Sequence, residues 1–224
     1  MSVTPAAVVF DVNETLSDLS SMAQRFAEVG APEHLARLWF ASVLRDGFAV
    51  AAAGSQESFA VLAQENLRSL LGALPSHREV EGAIEHIMAG FLDLPVHPDV
   101  LPAVRALRRA GLRLVTLSNG SAQVAESLLS SAGVREDFER VLSVEDAGVW
   151  KPARGAYEYA AERCGLSMSD MLMVAVHPWD IDGAARAGMR TAWVVRSGSH
   201  YPSYAAEPDH TVRSLEDLAG ALSP

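Results

Sequence analysis

A long helical segment separates the first predicted strand of this chain from all the later ones. Residues 6–10 (AAVVF) form a short apolar run, which is typical of a strand buried on both faces of a sheet. From about residue 17 to residue 90, alanine, leucine, glutamate and arginine dominate, and apolar residues recur at helical spacing. We expect three to five helices and no strand in this segment.

After residue 97, predicted strands and helices alternate along the chain. We expect strands at residues 112–117, 140–143, 171–176 and 191–195, and helices at residues 100–110, 121–132, 153–164 and 182–187. This alternation predicts an α/β fold with a doubly wound, Rossmann-like parallel sheet. The helical segment then becomes an inserted all-helical cap. Residues 1–16 and 98–224 would form the α/β core domain, and residues 17–97 the helical cap subdomain.

The composition argues against several kinds of partner. With 224 residues, 49% of them hydrophobic and 21% charged, the chain can bury a sizeable core. Its net charge of −10 leads us to expect no nucleic-acid partner and no membrane partner. The single cysteine, Cys164, excludes an intramolecular disulfide, and the N-terminus lacks the pattern of a signal peptide. A cytoplasmic location is therefore the expectation.

Four polar clusters follow predicted strands, three of them directly and one a few residues later. In sheets of this class, ligands bind at the carboxyl ends of the strands. Because those ends meet at one edge of the sheet, we expect the four clusters to form a single site. The clusters are Asp11 to Thr15, Ser118 to Gly120, Lys151-Pro152, and His177 to Asp180.

Asp11 is the natural candidate for a nucleophile. A carboxylate placed directly after a buried strand costs free energy unless it is paired or used. Such a carboxylate can displace a leaving group and form an ester, which water then cleaves. Lys151 supplies a positive charge that favours the ionised carboxylate. Asp180 is suited to orient either Lys151 or a hydrolytic water molecule.

Further side chains of these clusters have candidate roles around the nucleophile. Thr15 can hydrogen-bond within its loop and hold it in place. Ser118 and Asn119 follow a central strand and can donate hydrogen bonds to a bound oxyanion or to Asp11. Structural alternatives remain open, since Asp11 could cap a turn and Asp180 could cap the helix expected at residues 182–187.

Taken in order along the chain, the motifs resemble those of the haloacid dehalogenase superfamily, and the chain looks most like the type II L-2-haloacid dehalogenases. The resemblance extends over nearly the whole chain, including the helical insertion, and it implies a homodimer. It also implies that Asp11 displaces halide from the α-carbon of a short 2-haloalkanoate, after which water cleaves the Asp11 ester. The matching motifs are Asp11-x-x-x-Thr15-Leu16, Ser118-Asn119-Gly120, Lys151-Pro152 and the Asp180 segment.

Two departures favour attack at carbon over attack at phosphorus. Phosphatases of this superfamily have Asp-x-Asp at the first motif. Their second Asp protonates the leaving alcohol and later activates water, but here that position is Asn13. They also have an acidic Mg²⁺ ligand near residues 174–177, where this chain reads Val-Ala-Val-His. A halide leaves without protonation or metal, so we expect no cofactor. A Mg²⁺-dependent phosphatase of small metabolites remains the alternative, with Glu14 or His177 replacing the missing acid.

The residues expected to face the substrate differ from those that the resemblance implies. An arginine would follow the Leu38-Trp39 pair, but this chain has Phe40, and Arg45 is the candidate replacement. Phe40 also keeps open a weakly active or non-catalytic ligand-binding relative. His177 is either a structural hydrogen-bond partner or a general base. Trp39, Phe40 and Trp179 either line an apolar pocket or belong to the core. The candidate substrate-binding residues are Asn119, Tyr157, His177, Trp179, Phe40 and Arg45, and the candidate catalytic residues are Asp11, Lys151, Asp180, Ser118 and Thr15.

Overall fold

One parallel sheet organises the molecule. The computed structural model describes residues 4–74, 79–196, 198 and 200–222. The strands in these ranges are β1 (Ala7–Phe10), β2 (Arg113–Ser118), β3 (Arg140–Ser143), β4 (Met171–Ala175), β5 (Arg190–Val194) and β6 (His210–Val212). They are all parallel, in the spatial order β3-β2-β1-β4-β5-β6. The predicted doubly wound α/β architecture is confirmed.

Helices cover both faces of the sheet and fill the segment after β1. Their bounds are α1 (Met22–Glu28), α2 (Leu35–Ala52), α3 (Phe59–Gly72), α4 (Val80–Leu92), α5 (Val100–Arg109), α6 (Ala122–Ser131), α7 (Val144–Ala147), α8 (Arg154–Cys164), α9 (Pro178–Ala187) and α10 (Leu215–Leu222). None of the described helices is long and apolar enough to cross a membrane.

The helices α1 to α4 form the segment expected to be a cap. Each of the four packs against two of the others in a closed circuit. The two chain connections that enter and leave the segment run side by side, because Ser17 pairs with Val96 in an antiparallel bridge. The His97 amide donates to the Leu16 carbonyl at 2.9 Å in the same place. Domain boundaries at 16/17 and 97/98 stay a prediction.

Strand order places the end of β1 at a special position in the sheet. After β1 the chain adds β2 and β3 on one side, and it then crosses to β4 on the other side of β1. Phe10 pairs with Thr116 of β2 and with Val174 of β4, so Asp11 emerges between these two strands. In open parallel sheets such a reversal of strand order leaves a crevice in which ligands bind.

Alternate residues of β1 enter two different apolar cores, as the two-residue period of a strand requires. Val8 and Phe10 pack with α5, α6 and α10 on one face of the sheet. Ala7 and Val9 belong to the core on the other face, which continues without interruption into α1 to α4. One apolar core therefore joins the helical segment to the sheet.

Trp150 lies at the contact between the helical segment and the sheet. Its ring stacks on Phe59 of α3 with 6.2 Å between ring centroids, and its Nε1 donates to the Glu57 carbonyl at 2.9 Å. A Cβ atom on Gly47 of α2 would lie less than 3.0 Å from this ring. The absence of a side chain at Gly47 therefore allows α2 to approach Trp150 closely.

The structure differs from the sequence-based expectations at several places, and the short helix α7 is one that was not predicted. Helix α9 begins at Pro178 rather than at residue 182, because proline suits the first turn of a helix. Asp180 therefore lies inside the first turn, and the idea that it caps the helix is wrong, since His177 is at the N-cap position. Strand β6 and helix α10 were not predicted, because a three-residue strand shows almost no periodicity.

Replacing Gly47 with alanine should lower the free energy of unfolding by about 1–3 kcal/mol, because the added methyl group overlaps the Trp150 ring. Urea unfolding followed by circular dichroism measures the change. Gly82→Ala is the matched control: a Cβ there meets nothing within 4 Å, so the higher helix propensity of alanine should stabilise α4 by roughly 0.5–1 kcal/mol. Equal effects of the two substitutions would contradict the close contact.

Candidate active site

Two carboxylates and one ammonium group form the centre of the site. The Lys151 Nζ donates to the Asp11 Oδ1 at 2.9 Å and to the Asp180 Oδ2 at 2.6 Å. Asp180 and Lys151 are completely buried, and the Asp11 side chain is 5% exposed. The structure thus brings together Asp11 after β1, Lys151 after α7 and Asp180 in α9, at the carboxyl edge of the sheet.

The charge of Lys151 is what makes this burial possible. Burial by itself would lower the pKa of Lys151, but the charges of Asp11 and Asp180 and their hydrogen bonds outweigh it, and the pKa is raised. The group therefore stays positive at neutral pH. Lys151 is also the only lysine in the sequence, and it lies among buried groups rather than on the surface. Lysine is a compact charge that can contact two carboxylates at once.

Hydroxyl groups donate hydrogen bonds to the carboxylate oxygens that Lys151 does not contact. The Thr15 hydroxyl donates to the Asp11 Oδ2 at 2.7 Å and accepts from the Val176 amide at 3.1 Å, so it connects the loop after β1 to the end of β4. The Tyr157 hydroxyl donates to the Asp180 Oδ1 at 2.7 Å. Burial and the charge of Asp180 hold the pKa of Tyr157 well above its usual value, so the hydroxyl remains a donor.

Two of the expected substrate-binding residues contact the charged centre instead. Tyr157 is fully buried and reaches the site only through Asp180. Asn119 uses its side-chain amide on the backbone of Lys151: its Oδ1 accepts from the Lys151 amide at 3.0 Å, and its Nδ2 donates to the Lys151 carbonyl at 3.3 Å. Both side chains therefore position charged groups of the centre.

The Ser118 side chain stabilises the turn that follows β2. Its Oγ accepts from the Gly120 amide at 2.9 Å, and the Gly120 carbonyl accepts from the Ser143 hydroxyl at 2.8 Å. Ser118 also lines a small cavity of about 40 Å³ together with Asn13 and Gly120. Helices α3 and α4 close this cavity from above.

Glu14 has an unusual backbone conformation in the loop after β1. Its φ is 61°, and it is the only non-glycine residue with positive φ among the residues that the structure describes. A left-handed conformation costs roughly 1 kcal/mol for a residue with a Cβ. The Glu14 carbonyl is 3.1 Å from the His97 Nε2, and its carboxylate Oε2 is 3.6 Å from the His177 Nε2. Burial raises the pKa of Glu14, and the charge of Asp11 adds to this effect, while His177 and Arg37 oppose it.

His177 lies between the first-motif loop and an aromatic stack. Its Nε2 is 3.2 Å from the Asn13 carbonyl and 3.6 Å from the Asp11 Oδ2. Its ring stacks on Trp179 with centroids 5.0 Å apart, and Phe40 of α2 stacks near it at 6.3 Å. The Lys151 Nζ lies 5.8 Å from the Trp179 ring centroid, within range of a cation–π interaction.

A second, much larger cavity opens beside this stack. Its volume is about 690 Å³, and it lies between α2 and the carboxyl edge of the sheet. Trp39, Phe40 and Leu44 form apolar parts of its wall, while Glu14 and His177 contribute polar groups next to Asp11. A cavity of this size can hold water and a small ligand together.

Arg45 does not occupy the position that its sequence suggested. Its side chain is 68% exposed and donates to the Asp46 Oδ1 at 2.7 Å, and it is not part of either cavity wall. Five residues along an α-helix correspond to a rotation of about 140° from Phe40, which turns the side chain away. The expectation that Arg45 replaces the missing arginine is wrong.

Arg37 is the cation of α2 that lines the large cavity. It lies three residues before Phe40, a spacing that places both on the same side of the helix. Its charge acts on Glu14, where it opposes the rise in pKa. Arg37 was not among the residues expected from the sequence, although its three-residue spacing from Phe40 was the signal that could have identified it.

The residues at this edge of the sheet do not fit a divalent metal ion. The described residues include no group of three or more His, Cys, Asp or Glu side chains with metal-binding geometry. The Lys151 ammonium already lies between Asp11 and Asp180, at hydrogen-bonding distance from both. A second cation between the same two carboxylates would be repelled. A Mg²⁺ ion would also lack a carboxylate at Ala175, where β4 ends.

Comparisons with known proteins agree with this architecture. A family model described as haloacid dehalogenase-like hydrolase matches residues 5–188. The (S)-2-haloacid dehalogenase 2 of Pseudomonas sp. (strain CBS-3) is 30% identical over 220 residues, covering 96% of this chain and 95% of that protein. Haloacetate dehalogenase H-2 of Moraxella sp. (strain B) is 34% identical over 143 residues, and that alignment covers 64% of each protein.

A solved structure is similar over nearly the whole chain. The L-2-haloacid dehalogenase from Xanthobacter autotrophicus with chloropropionic acid covalently bound superposes with a TM-score of 0.88 at 26% identity, covering 97% of this chain and 98% of that one. The fold and these relatives define the protein as a hydrolase built on an α/β sheet. The chain belongs to the haloacid dehalogenase-like hydrolase family. The predicted family resemblance is confirmed.

Replacing Lys151 with methionine should lower the free energy of unfolding at pH 8 by about 3–5 kcal/mol, because two buried carboxylates then lack their cation. Without that cation, at least one carboxyl should have a higher pKa in the folded than in the unfolded state. Stability should thus rise as the pH falls from 8 to 5. Urea unfolding at several pH values measures this.

Arg154→Met is the control for the Lys151 variant, because Arg154 forms an exposed pair with Glu158. Such exposed pairs contribute little to stability, so this variant should unfold close to the wild type at both pH values. A Lys151→Met protein as stable as the control would contradict the assigned charge arrangement.

Proposed function

We propose that this hydrolase cleaves the carbon–halogen bond of short (S)-2-haloacids through an ester on Asp11 and without a metal ion. The observation that carries the proposal is the Asp11 carboxylate at the end of β1, with the buried Lys151 ammonium 2.9 Å from one of its oxygens. Relatives of this chain over nearly its whole length are (S)-2-haloacid dehalogenases, which supports the choice of substrate.

The first step is a displacement at the α-carbon of the substrate. An oxygen of Asp11 forms a bond to this carbon while the carbon–halogen bond breaks, and the electron pair leaves with the halide. The Lys151 ammonium donates to one oxygen of this carboxylate, and the Thr15 hydroxyl donates to the other, which fixes its rotation. Because the halide departs as a stable anion, no acid is needed, and the amide at Asn13 is no obstacle.

The second step is hydrolysis of the ester. Water attacks the carbonyl carbon of the Asp11 ester, the bond from this carbon to the ester oxygen breaks, and the 2-hydroxy acid leaves. Because the bond that breaks joins the Asp11 carbonyl carbon to the ester oxygen, the ester oxygen leaves with the product. The hydroxyl oxygen of the 2-hydroxy acid is therefore the oxygen with which Asp11 attacked in the first step. The oxygen of the water then remains in Asp11. Asp180 holds Lys151 throughout.

The two cavities suit different parts of this reaction. The small cavity is lined mainly by apolar side chains of α3 and α4, with Ser118 and Asn13 at its polar side, and its volume of about 40 Å³ favours a short substrate. The larger cavity presents Arg37, a cation on the cap side of Asp11, for the departing halide or a second polar group. Phe40 and His177 line the larger cavity, and the His177 ring stacks on Trp179 and near Phe40.

We also propose the remaining features that follow from the resemblance. Residues 17–97 act as a cap that covers the site, the protein is a homodimer, and it acts in the cytoplasm on a small carboxylate substrate. The thiol of Cys164 is free and buried, which agrees with a reducing compartment.

A phosphatase finds less support, since Asn13 carries no titratable proton and Lys151 already lies between Asp11 and Asp180.

Wild-type protein should release chloride from L-2-chloropropionate in the presence of EDTA, and Asp11→Asn should abolish this turnover. In a single turnover in H₂¹⁸O, the 2-hydroxy acid should carry ¹⁶O from Asp11, and the label should appear in the Asp11 peptide by mass spectrometry. Asp93→Asn, on the exposed end of the helical segment, should react like wild type. Label in the first-turnover product, or turnover by Asp11→Asn, would contradict the ester.

Arg37→Leu should lower kcat/KM for L-2-chloropropionate roughly tenfold or more, because a charge-assisted contact to an anion such as the departing halide contributes about 1.5–3 kcal/mol. Initial rates over a range of substrate concentrations measure the change. Arg45→Leu changes the same residue type on the same helix, but on the exposed side, and should leave kcat/KM within twofold. The reverse result, with Arg45 dominant, would show that α2 presents its other face to the substrate.

A further inference from the structure

We propose that Glu14 is the general base that activates water for hydrolysis of the Asp11 ester. His177 contacts Asp11, Asn13 and Glu14, and it thereby holds the loop after β1 in place. This inference rests on the proposed function, because it concerns the second step of that reaction. It assigns the proton acceptor to a residue on the cavity side of Asp11, whereas Asp180 lies on the buried side.

Water has access to the Glu14 carboxylate but not to the Asp180 carboxylate. Asp180 is completely buried, and both of its carboxylate oxygens already accept short hydrogen bonds, from Lys151 at 2.6 Å and from Tyr157 at 2.7 Å. Glu14 is different, because its side chain is 42% exposed and lines the cavity of about 690 Å³. Water that enters from this cavity reaches Glu14 before it reaches Asp11.

The His177 Nε2 lies near the carboxylates of both Glu14 and Asp11. The Glu14 Oε2 and the Asp11 Oδ2 each lie 3.6 Å from the same atom, the His177 Nε2, so they are at most twice that distance apart. The Asn13 carbonyl lies 3.2 Å from this nitrogen as well. Because three oxygen acceptors lie within 3.6 Å of the Nε2, the tautomer with its hydrogen on this nitrogen fits the geometry, and His177 then acts here as a donor. Glu14 is the acidic side chain on this side that can accept a proton from water.

The backbone of Glu14 is strained. Its φ of 61° is strained for any residue with a Cβ, and glycine would adopt it freely. Strain at a single loop position beside a nucleophile suggests that the side chain has a role that outweighs its cost to stability. The strained conformation directs the carboxylate of Glu14 toward His177 and into the cavity.

The environment of Glu14 also suits proton transfer. Burial raises its pKa, which makes it a stronger base than an exposed glutamate, while the charges of His177 and Arg37 favour the ionised form that can accept a proton. The other titratable groups that face it are Asp11 at the end of β1 and His97, whose Nε2 contacts the Glu14 carbonyl.

Hydrolysis of the Asp11 ester consumes one water molecule and releases one proton. A lone pair of the water oxygen forms a bond to the carbonyl carbon of the Asp11 ester while Glu14 takes one proton of that water. The carbon–oxygen bond to the substrate then breaks, and the departing alkoxide takes this proton from Glu14 to become the hydroxyl of the 2-hydroxy acid. The remaining proton dissociates from Asp11 and leaves through the cavity, so Glu14 and Asp11 both return to carboxylates.

Rapid-quench kinetics with Glu14→Gln separates the two steps. We expect a burst of about one equivalent of halide per protein, followed by steady-state turnover at least tenfold slower than wild type. Intact-mass spectrometry should show the ester accumulating, located on the peptide that contains Asp11. Glu85→Gln, on the exposed face of α4, is the control and should show wild-type rates with no burst.

Glu14→Gly distinguishes a base from a structural residue. Glycine relieves the positive φ, so the thermal unfolding midpoint should be equal to or above that of wild type, and yet the ester should accumulate as it does in Glu14→Gln. Hydrolysis at the wild-type rate in either variant overturns the role of Glu14, as does slow halide release without a burst. If wild-type protein releases no halide from any 2-haloacid, the proposed function fails, and the role of Glu14 fails with it.

Discussion

The contact of one buried ammonium group with two carboxylates is the interaction on which the rest of this site depends. Asp11 and Asp180 could not both be buried as anions without Lys151, because each charge would lose its hydration without gaining a partner. The three residues come from segments that follow β1, α7 and β4. Their contact therefore fixes the relative positions of three chain segments at the carboxyl edge of the sheet. Thr15 and Tyr157 complete the arrangement by occupying the remaining sides of the carboxylates.

Packing of the helical segment decides what can reach this charged centre. Trp150 and the close approach at Gly47 join α2 and α3 to the sheet, so the aromatic wall of α2 is held over the site. The result is that Lys151 and Asp180 lie on the sealed side of Asp11, while Glu14 and His177, which lie beside Asp11, line a large cavity. This asymmetry is the physical basis for assigning charge stabilisation to the sealed side and water to the cavity side.

Local patterns were sufficient for most of the architecture. The five longer strands could be predicted because each contains a short apolar stretch that alternates with helical patterns along the chain, and the helical segment could be predicted because its apolar residues recur at helical spacing. The order of the motifs was enough to place Asp11, Ser118, Lys151 and Asp180 at one edge of the sheet. Failures occurred where local signals are weak, as for β6 with three residues, or where a single residue shifts a boundary, as Pro178 does for α9.

By itself, the sequence determined the fold class, the family and the presence of an aspartate beside a basic group, because these depend on periodicity and on motifs that are short and ordered. Only the tertiary structure decided which side chains meet. Asn119 binds the backbone of Lys151, Arg37 rather than Arg45 lines the cavity, and Glu14 turns into it with a positive φ. Such contacts join residues that are far apart in the chain, and they depend on how helices rotate and pack, which no local pattern specifies.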